Sequence, residues 1–320
     1  MLAATAVRFS NEDPLSGLEV GERSDAAPPA QGWEIVRVRA TSLNHHDLWS
    51  LRGVGLRGDR LPMILGCDAA GVTAEGREVV VHAVISGEGG IEEPSREFSL
   101  FSEEYPGTHA ELVAAPSRNL LDKPTELSFA EAACLPTAWL TAYRMLFVQG
   151  DLRPGQRVLV QGAGGGVSTA AIMLARAAGL RVYVTSRSEE KRKRAAELGA
   201  HATFEAGARL PERVDGVMET VGEATWGHSL RSVEAGGVIV CAGSTSGPNP
   251  PAELQRVFYR QIRIVGSTMG TRRELGDLIR MLRDTGVRPV IDATYPLREA
   301  KAAFQQMHSG ELFGKIVLEP

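Results

Sequence analysis

Cysteine is scarce in this chain, with three among 320 residues at Cys67, Cys134 and Cys241. An odd, scattered trio argues against a disulfide framework and for a reducing compartment, so a cytoplasmic setting is expected. Long apolar runs are missing as well. No stretch approaches the roughly 20 uninterrupted apolar residues of a membrane-spanning helix, and the opening MLAATAVRFS lacks a basic lead and is broken by Arg8, which reads as a first strand rather than a signal peptide. Neither sign of charge dominates: 35 Lys and Arg against 39 Asp and Glu leave a net charge of -4. That balance offers no basic field for nucleic acid or an anionic membrane, and leaves a small molecule or a second copy of the chain as the expected partner. Internal repeats and low-complexity tracts are absent too.

What is present changes character along the chain. Up to about residue 120, short alternating segments are cut by turns; GWEIVRVRA at 32–40 sets apolar Ile35, Val36 and Val38 against Arg37 and Arg39, and EVVVHAVI at 78–85 reads as another strand. This is a mostly antiparallel β region. Residues 86–107 carry six Glu against one Arg with no periodicity and read as a surface lobe. After DKPTELSF at 122–129 the order becomes strand then helix, repeatedly: RVLVQG and STAAIMLARAAG, LRVYVTS and SEEKRKRAAELG, VDGVMETVG and ATWGHSLRSV, then GGVIVCAG and IRIVGS. Repeated βα order predicts an α/β fold with a doubly wound parallel sheet. The tail returns to mixed elements.

The stretch VLVQGAGGGVST joins the first of these strands to a helix expected to start near Ser168. Glycines there let the backbone turn sharply and aim its N–H groups at a pyrophosphate, while the helix dipole favours the negative charge. Gly162, Gly165, Gly166 and the adjoining Val167 are the candidate cofactor residues. A Gly-Lys-Ser/Thr ending is absent, which disfavours a nucleoside-triphosphate loop. Ser168 stands where a third glycine is usual, and its hydroxyl is expected to cap the helix. NAD-binding sheets place an acid at the end of the second strand to accept from the ribose hydroxyls. Here that strand ends Thr185-Ser186-Arg187-Ser188. Ser186, Arg187 and Lys191 offer a hydroxyl and two charges to a 2′-phosphate, so NADP(H) is expected over NAD(H). The plainer alternative is a capping box of Ser186 and Glu189, with Arg187 and Lys191 on a solvated face.

Over essentially its whole length, through GWEIVRVRATSLNHHDLW, LPMILGCDAAGV, GTHAELV, AACLPTAWLTAY, VLVQGAGGGVSTAAIMLARAAG and GKIVL, the chain resembles the medium-chain dehydrogenase/reductase superfamily. The resemblance implies a GroES-like β catalytic domain at 1–124 and 268–320, a Rossmann cofactor domain at 125–267, and an active site in the cleft between them. Zinc-dependent members hold the metal with a Cys before the Asp of the first motif, the His of Gly-His-Glu, and a Cys four residues before the Thr of Thr-Gly/Ala-Tyr. This chain has Asn44 before Asp47, Cys67 in Gly66-Cys67-Asp68, and Thr137 before Thr141-Ala142-Tyr143. The four cysteines of a structural zinc site are also missing from 86–107. No metal is expected. A rebuilt site is the alternative, with His45, His46, Cys67, Asp68, His82 and His109 as donors.

The pattern resembles the zinc-free quinone oxidoreductase and enoyl reductase branch, which implies NADPH-dependent hydride transfer to a quinone, an enone or a related activated carbonyl. The catalytic candidates are Asn44, His45, Asp47 and Thr141. Asn44 and Thr141 are expected beside the nicotinamide and its ribose, with loops at Val221-Gly222, Ala242-Gly243-Ser244 and Gly266-Ser267-Thr268 framing the cofactor. Trp49 and the Tyr105–His109 stretch are candidate substrate walls, and Tyr143 either donates to an oxyanion or anchors its helix. The same branch implies a homodimer formed through the IRIVGS edge strand. Two rival readings remain at this point: a zinc alcohol dehydrogenase with altered ligands, and an NADPH-binding protein without turnover.

Overall fold

Strand Trp33–Ser42 shows how the β region is laid down: Val36, Val38 and Ala40 are buried while Arg37 and Arg39 are exposed, the period-two pattern of a half-buried strand. In this computed structural model residues 1–86 and 98–320 are described, so most of the acidic stretch falls outside the described residues. The chain divides into two compact units, 1–138 with 270–320, and 139–269. The division falls later than the expected 124/125, because helix Phe129–Ala133 packs on strands Trp33–Ser42 and Asp68–Thr73 of the first unit.

The first unit is built on a seven-stranded sheet. Its order is Leu120–Asp122, Glu78–Val81, Asp68–Thr73, Trp33–Ser42, Lys315–Glu319, Ile291–Pro296, with Leu112–Pro116 also paired to Trp33–Ser42. Pairing is antiparallel except between the last two strands of the chain. Leu43, Leu51, Leu65, Phe304, Ile316 and Leu318 share a core, and each such fully buried side chain stabilises by about 1.5–3 kcal/mol. The segment read as one strand at 78–85 is broken at His82 into Glu78–Val81 and Val84–Ser86, which lie in different sheets. The break is fixed by His82, whose N–H donates to Asn119 O at 2.8 Å and whose Nε2 lies 2.9 Å from Gly270 O.

The second unit holds six parallel strands in the order Ala202–Phe204, Arg181–Thr185, Arg157–Gln161, Val214–Glu219, Val233–Cys241, Arg263–Gly266. Numbered along the chain this is 3-2-1-4-5-6, the doubly wound order. The sense of winding reverses between Arg157–Gln161 and Val214–Glu219, where such sheets open a crevice at the carboxyl ends of the strands. Arg263–Gly266 is the sheet's last strand, with Ile264 exposed. Both expected folds, the antiparallel β unit and the doubly wound sheet, are present.

Candidate active site

In the second unit the crevice is made of backbone. Gly162 follows the first strand at φ +80°, a conformation that side chains with a Cβ rarely adopt, and Gly165 caps helix Gly166–Ala177. The helix therefore begins two residues earlier than expected. Ser168 lies inside its first turn, buried, rather than at the cap. Gly166 and Val167 are the first two helical residues, with N–H groups free of intrahelical partners by position, as an anion site requires.

Across the switch point, buried Glu219 ends the fourth strand and organises the next loop. Its Oε1 accepts from Val221 N at 2.8 Å, Gly222 N at 3.1 Å and Thr225 Oγ1 at 2.8 Å, and its Oε2 accepts from Ser229 Oγ at 2.6 Å. Gln161 Nε2 donates to the same Ser229 Oγ at 2.9 Å, tying the first strand to this network. Gly222 has φ +92°, and a Cβ on it would meet Gly247 O at 2.4 Å, so the loop requires glycine. Gly243 lies against Thr220, where a Cβ would stand 3.0 Å from the carbonyl oxygen. Ser267 N donates to Cys241 O at 2.8 Å, while its buried Oγ has no protein partner among the described residues.

At the end of the second strand no acid appears. Ser186 Oγ accepts from Ser188 N, and the helix cap is Ser188, which accepts from Lys191 N at 3.2 Å. The alternative reading, a capping box of Ser186 and Glu189, gives way to a Ser188 cap. Arg187 is exposed. Arg192, which sequence reasoning passed over, donates through Nη1 to Ser186 O at 2.7 Å and brings a further charge to this corner. Thr141 is buried in helix Leu140–Tyr143, which is flanked by wider π-helical turns at Leu135–Trp139 and Arg144–Gln149. Such turns recur at functional sites.

In the first unit the polar cluster is made of side chains. Asn44 precedes helix His45–Leu51 and its N–H donates to Asp47 Oδ2 at 2.8 Å. Asp47, wholly buried, also accepts from Gly66 N at 3.1 Å and lies 3.3 Å from His109 Nε2, an ion-pair separation that misses hydrogen-bond geometry. Burial alone raises a carboxyl pKa, but the adjacent His109 and the backbone donor hold Asp47 below the usual range. Gly66 has φ +100°, and a Cβ there would lie 2.5 Å from His109 Nδ1. Asp68, also fully buried, accepts at Oδ2 from Ser42 Oγ at 2.7 Å and Asn44 Nδ2 at 2.8 Å. Lys315, from the last strand, points into the same group.

The remaining histidines separate. His45 is exposed, with Trp49 6.5 Å away between ring centroids; crowding by protein, then the Lys315 charge, draws its pKa down. His46 Nδ1 lies 3.5 Å from Cys67 Sγ and its Nε2 3.1 Å from Glu103. Burial opposes charge on this ring, yet Cys67, Glu103 and Asp47 push its pKa well up. Burial drives His82 down to about 4, and it takes no part in the cluster. Tyr105 packs on Trp33 with centroids 4.8 Å apart, and Tyr143 on Phe147 at 5.1 Å.

Residues 30–125 match the family described as alcohol dehydrogenase GroES-like domain, and residues 166–284 the family described as zinc-binding dehydrogenase. The acryloyl-coenzyme A reductase of Metallosphaera sedula is 30% identical, with 94% of this chain and 96% of that protein aligned. The chain is a medium-chain dehydrogenase/reductase. Among other members of this superfamily, the quinone oxidoreductase of Rattus norvegicus is 28% identical over 92% of each chain. A crystal structure described as an NAD-dependent alcohol dehydrogenase superposes with a TM-score of 0.92 at 33% identity, covering 100% of both chains. The protein is accordingly an oxidoreductase with a GroES-like unit and a Rossmann unit.

One matched family of this dehydrogenase/reductase is named for zinc, which requires three or four N, S or O ligands around one point. At the three expected positions stand an amide, Asn44, already bonded at both ends; one thiol, Cys67, which donates to Phe101 O at 3.2 Å; and a hydroxyl, Thr137. A lysine ammonium lies 2.6 Å from Asn44 Oδ1. No three His, Cys, Asp or Glu side chains among the described residues are spaced to hold a metal. This set does not fit a catalytic zinc.

Proposed function

We propose that the protein is an NADPH-dependent reductase that transfers hydride to a quinone, an enone or a related activated carbonyl without a metal. The observation that carries this reading is the nucleotide crevice: a glycine turn at the switch point, with Ser186, Arg187 and Arg192 where an NAD-selecting acid is usual. Bound dihydronicotinamide supplies the hydride. The N–H groups at Gly166 and Val167 hold the pyrophosphate, and the Ser186–Arg187 corner, with Lys191 on the next helical turn, holds the 2′-phosphate. Val221, Gly243 and Ser267 frame the nicotinamide half, and the unsatisfied Ser267 hydroxyl is offered to it. Asn44 and Thr141 serve the nicotinamide and its ribose, Asp47 fixes the Asn44 backbone, and His45 lines the acceptor side.

An acceptor of this class suits the donor set. In a quinone or enone the incoming charge spreads to a distant oxygen, so a few hydrogen bonds stabilise it; oxidising an unactivated alcohol also demands loss of its proton, a step that zinc normally assists. An amide and a hydroxyl at two of the three positions where zinc-dependent members carry ligands thus support reduction. The exposed strand Arg263–Gly266, with Leu254, Phe258 and Tyr259 exposed on the preceding helix, supports homodimer formation through this edge. Among the described residues no helix is long and apolar enough to cross a membrane, and the cysteine usage supports a cytoplasmic setting.

The test is to titrate the protein with NADPH and NADH by nucleotide fluorescence, then follow dihydronicotinamide absorbance with quinones, enones, aldehydes and alcohols, with and without chelator. Tighter NADPH binding and chelator-insensitive reduction of a quinone or enone support the proposal. Binding without turnover on any acceptor points to a non-catalytic binder, and loss of activity on zinc removal to an alcohol dehydrogenase with altered ligands.

A further inference from the structure

Lys315 opens the last strand of the catalytic unit and is 3% exposed. Its Nζ donates to Leu43 O at 2.6 Å and Asn44 Oδ1 at 2.6 Å, and lies 3.4 Å from Asp68 Oδ2. An ammonium has three N–H bonds, and three acceptors surround this one. Asn44 Nδ2 in turn donates to Asp68 Oδ2 at 2.8 Å and, over a longer 3.3 Å, to Ser42 O. A flipped amide would turn its NH2 toward the ammonium and its oxygen toward the carboxylate, so the Lys315–Asp68 pair dictates which end of Asn44 points where. The arrangement leaves Asn44 one weakly engaged N–H. Asp68 Oδ1 is buried with no protein partner among the described residues.

Stability gives little reason for such a group. A buried ion pair recovers, at best, about what its desolvation costs, and apolar replacements of the same volume are often as stable or more so. Orientation gives a better one. The amide held by this ammonium is the residue expected beside the nicotinamide, at a position where zinc-dependent relatives carry a metal ligand. We propose that Lys315 is a positioning residue for hydride transfer: with Asp68 it locks the orientation of the Asn44 amide. This inference rests on the function proposed above, and Lys315 acts through Asn44 rather than on substrate.

The experiment uses the full chain with Lys315→Ala, and Asp68→Asn/Lys315→Met, the latter removing both charges so that no carboxylate is left buried alone. Two readouts apply: kcat and KM for the best acceptor of the wild type, and the Asn44 side-chain amide signal in 15N NMR without cofactor, assigned by its loss in Asn44→Ala. The double variant should melt close to the wild type, bind NADPH within about threefold of it, and lose at least about tenfold in kcat with KM little changed, as loss of a preorganised electrostatic contact predicts. In Lys315→Ala, a primary alkylammonium filling the vacated space should restore kcat, while an alcohol of equal length should not. The Asn44 amide protons, slow to exchange in the wild type, should exchange freely in either variant. A kcat within about threefold of wild type in the double variant, equal rescue by alcohol and amine, or unchanged Asn44 exchange overturns the proposal. A wild type that binds NADPH but turns over no acceptor removes the functional reading, and the exchange measurement then still decides whether Lys315 orients Asn44.

Discussion

In the unit at 139–269 the nucleotide crevice is shaped by glycine backbone around a neutral hydroxyl and amide network on Glu219, whereas in the other unit the polar cluster is assembled from charged side chains enclosed away from water. The first kind of site owes its geometry to φ angles and to the donors gathered on one carboxylate. The second owes it to ion pairs and orientation, and answers to protonation and to single-atom substitutions. On the function proposed above, a dehydrogenase built this way separates holding the cofactor from tuning the reaction. Each half can then be perturbed alone.

The largest expected effect breaks the catalytic unit with acid. Unfolded His82 takes up a proton below about 6.5, while the folded residue resists until about 4, so the unfolded state binds more protons in between. Stability is therefore full above about pH 6.5 and falls by roughly 3 kcal/mol as the pH approaches 4. Urea melts across that range should show the loss, and His82→Gln should flatten it. Next comes Gly162→Val, which forces a branched side chain into φ +80°; NADPH affinity should drop at least about 100-fold, roughly 2.7 kcal/mol, by fluorescence titration. Glu219→Gln replaces an acceptor with a donor facing backbone N–H groups and should cost about 1–3 kcal/mol of stability in thermal melts, weakening cofactor binding with it. The smallest change sharpens cofactor choice: Arg187→Glu should move the NADPH over NADH preference by about tenfold toward NADH, or about 1.4 kcal/mol.

Legibility in the sequence follows the same contrast. The glycine turn and the doubly wound character of the sheet could be read because their signals are local, a strand, a turn and a helix within about thirty residues, whereas the three-residue strand Ala202–Phe204 is too short to carry such a signal. Alternation in Trp33–Ser42 was equally plain. The start of helix Gly166–Ala177 lies two residues before the expected Ser168, because the choice among neighbouring small residues depends on backbone geometry that composition does not specify. His82 broke a strand that its apolar neighbours suggested was continuous, through a bond to Gly270, 188 residues away. Lys315 and Arg192 were passed over for a related reason. The Asn44 partner of Lys315 lies 271 residues away, and Arg192, one of four consecutive basic residues, reaches back six residues to the Ser186 carbonyl, so neither contact is marked in the local sequence. The trace that remained was a charge, in both Asp68 and Lys315, set at the head of a strand and followed by apolar residues.

Leu43 and Asn44 in the early part of the chain meet Lys315 from its far part, while residues 139–269 form a unit without interruption. During synthesis the nucleotide-holding half can close as soon as its own segment has left the ribosome, since domains fold as units in the order they emerge. The other half holds Asp68 and Asn44 without their ammonium partner until the later strand with Lys315 has been made, so on the role proposed for Lys315 the orientation of this amide is set after the nucleotide-holding half can close.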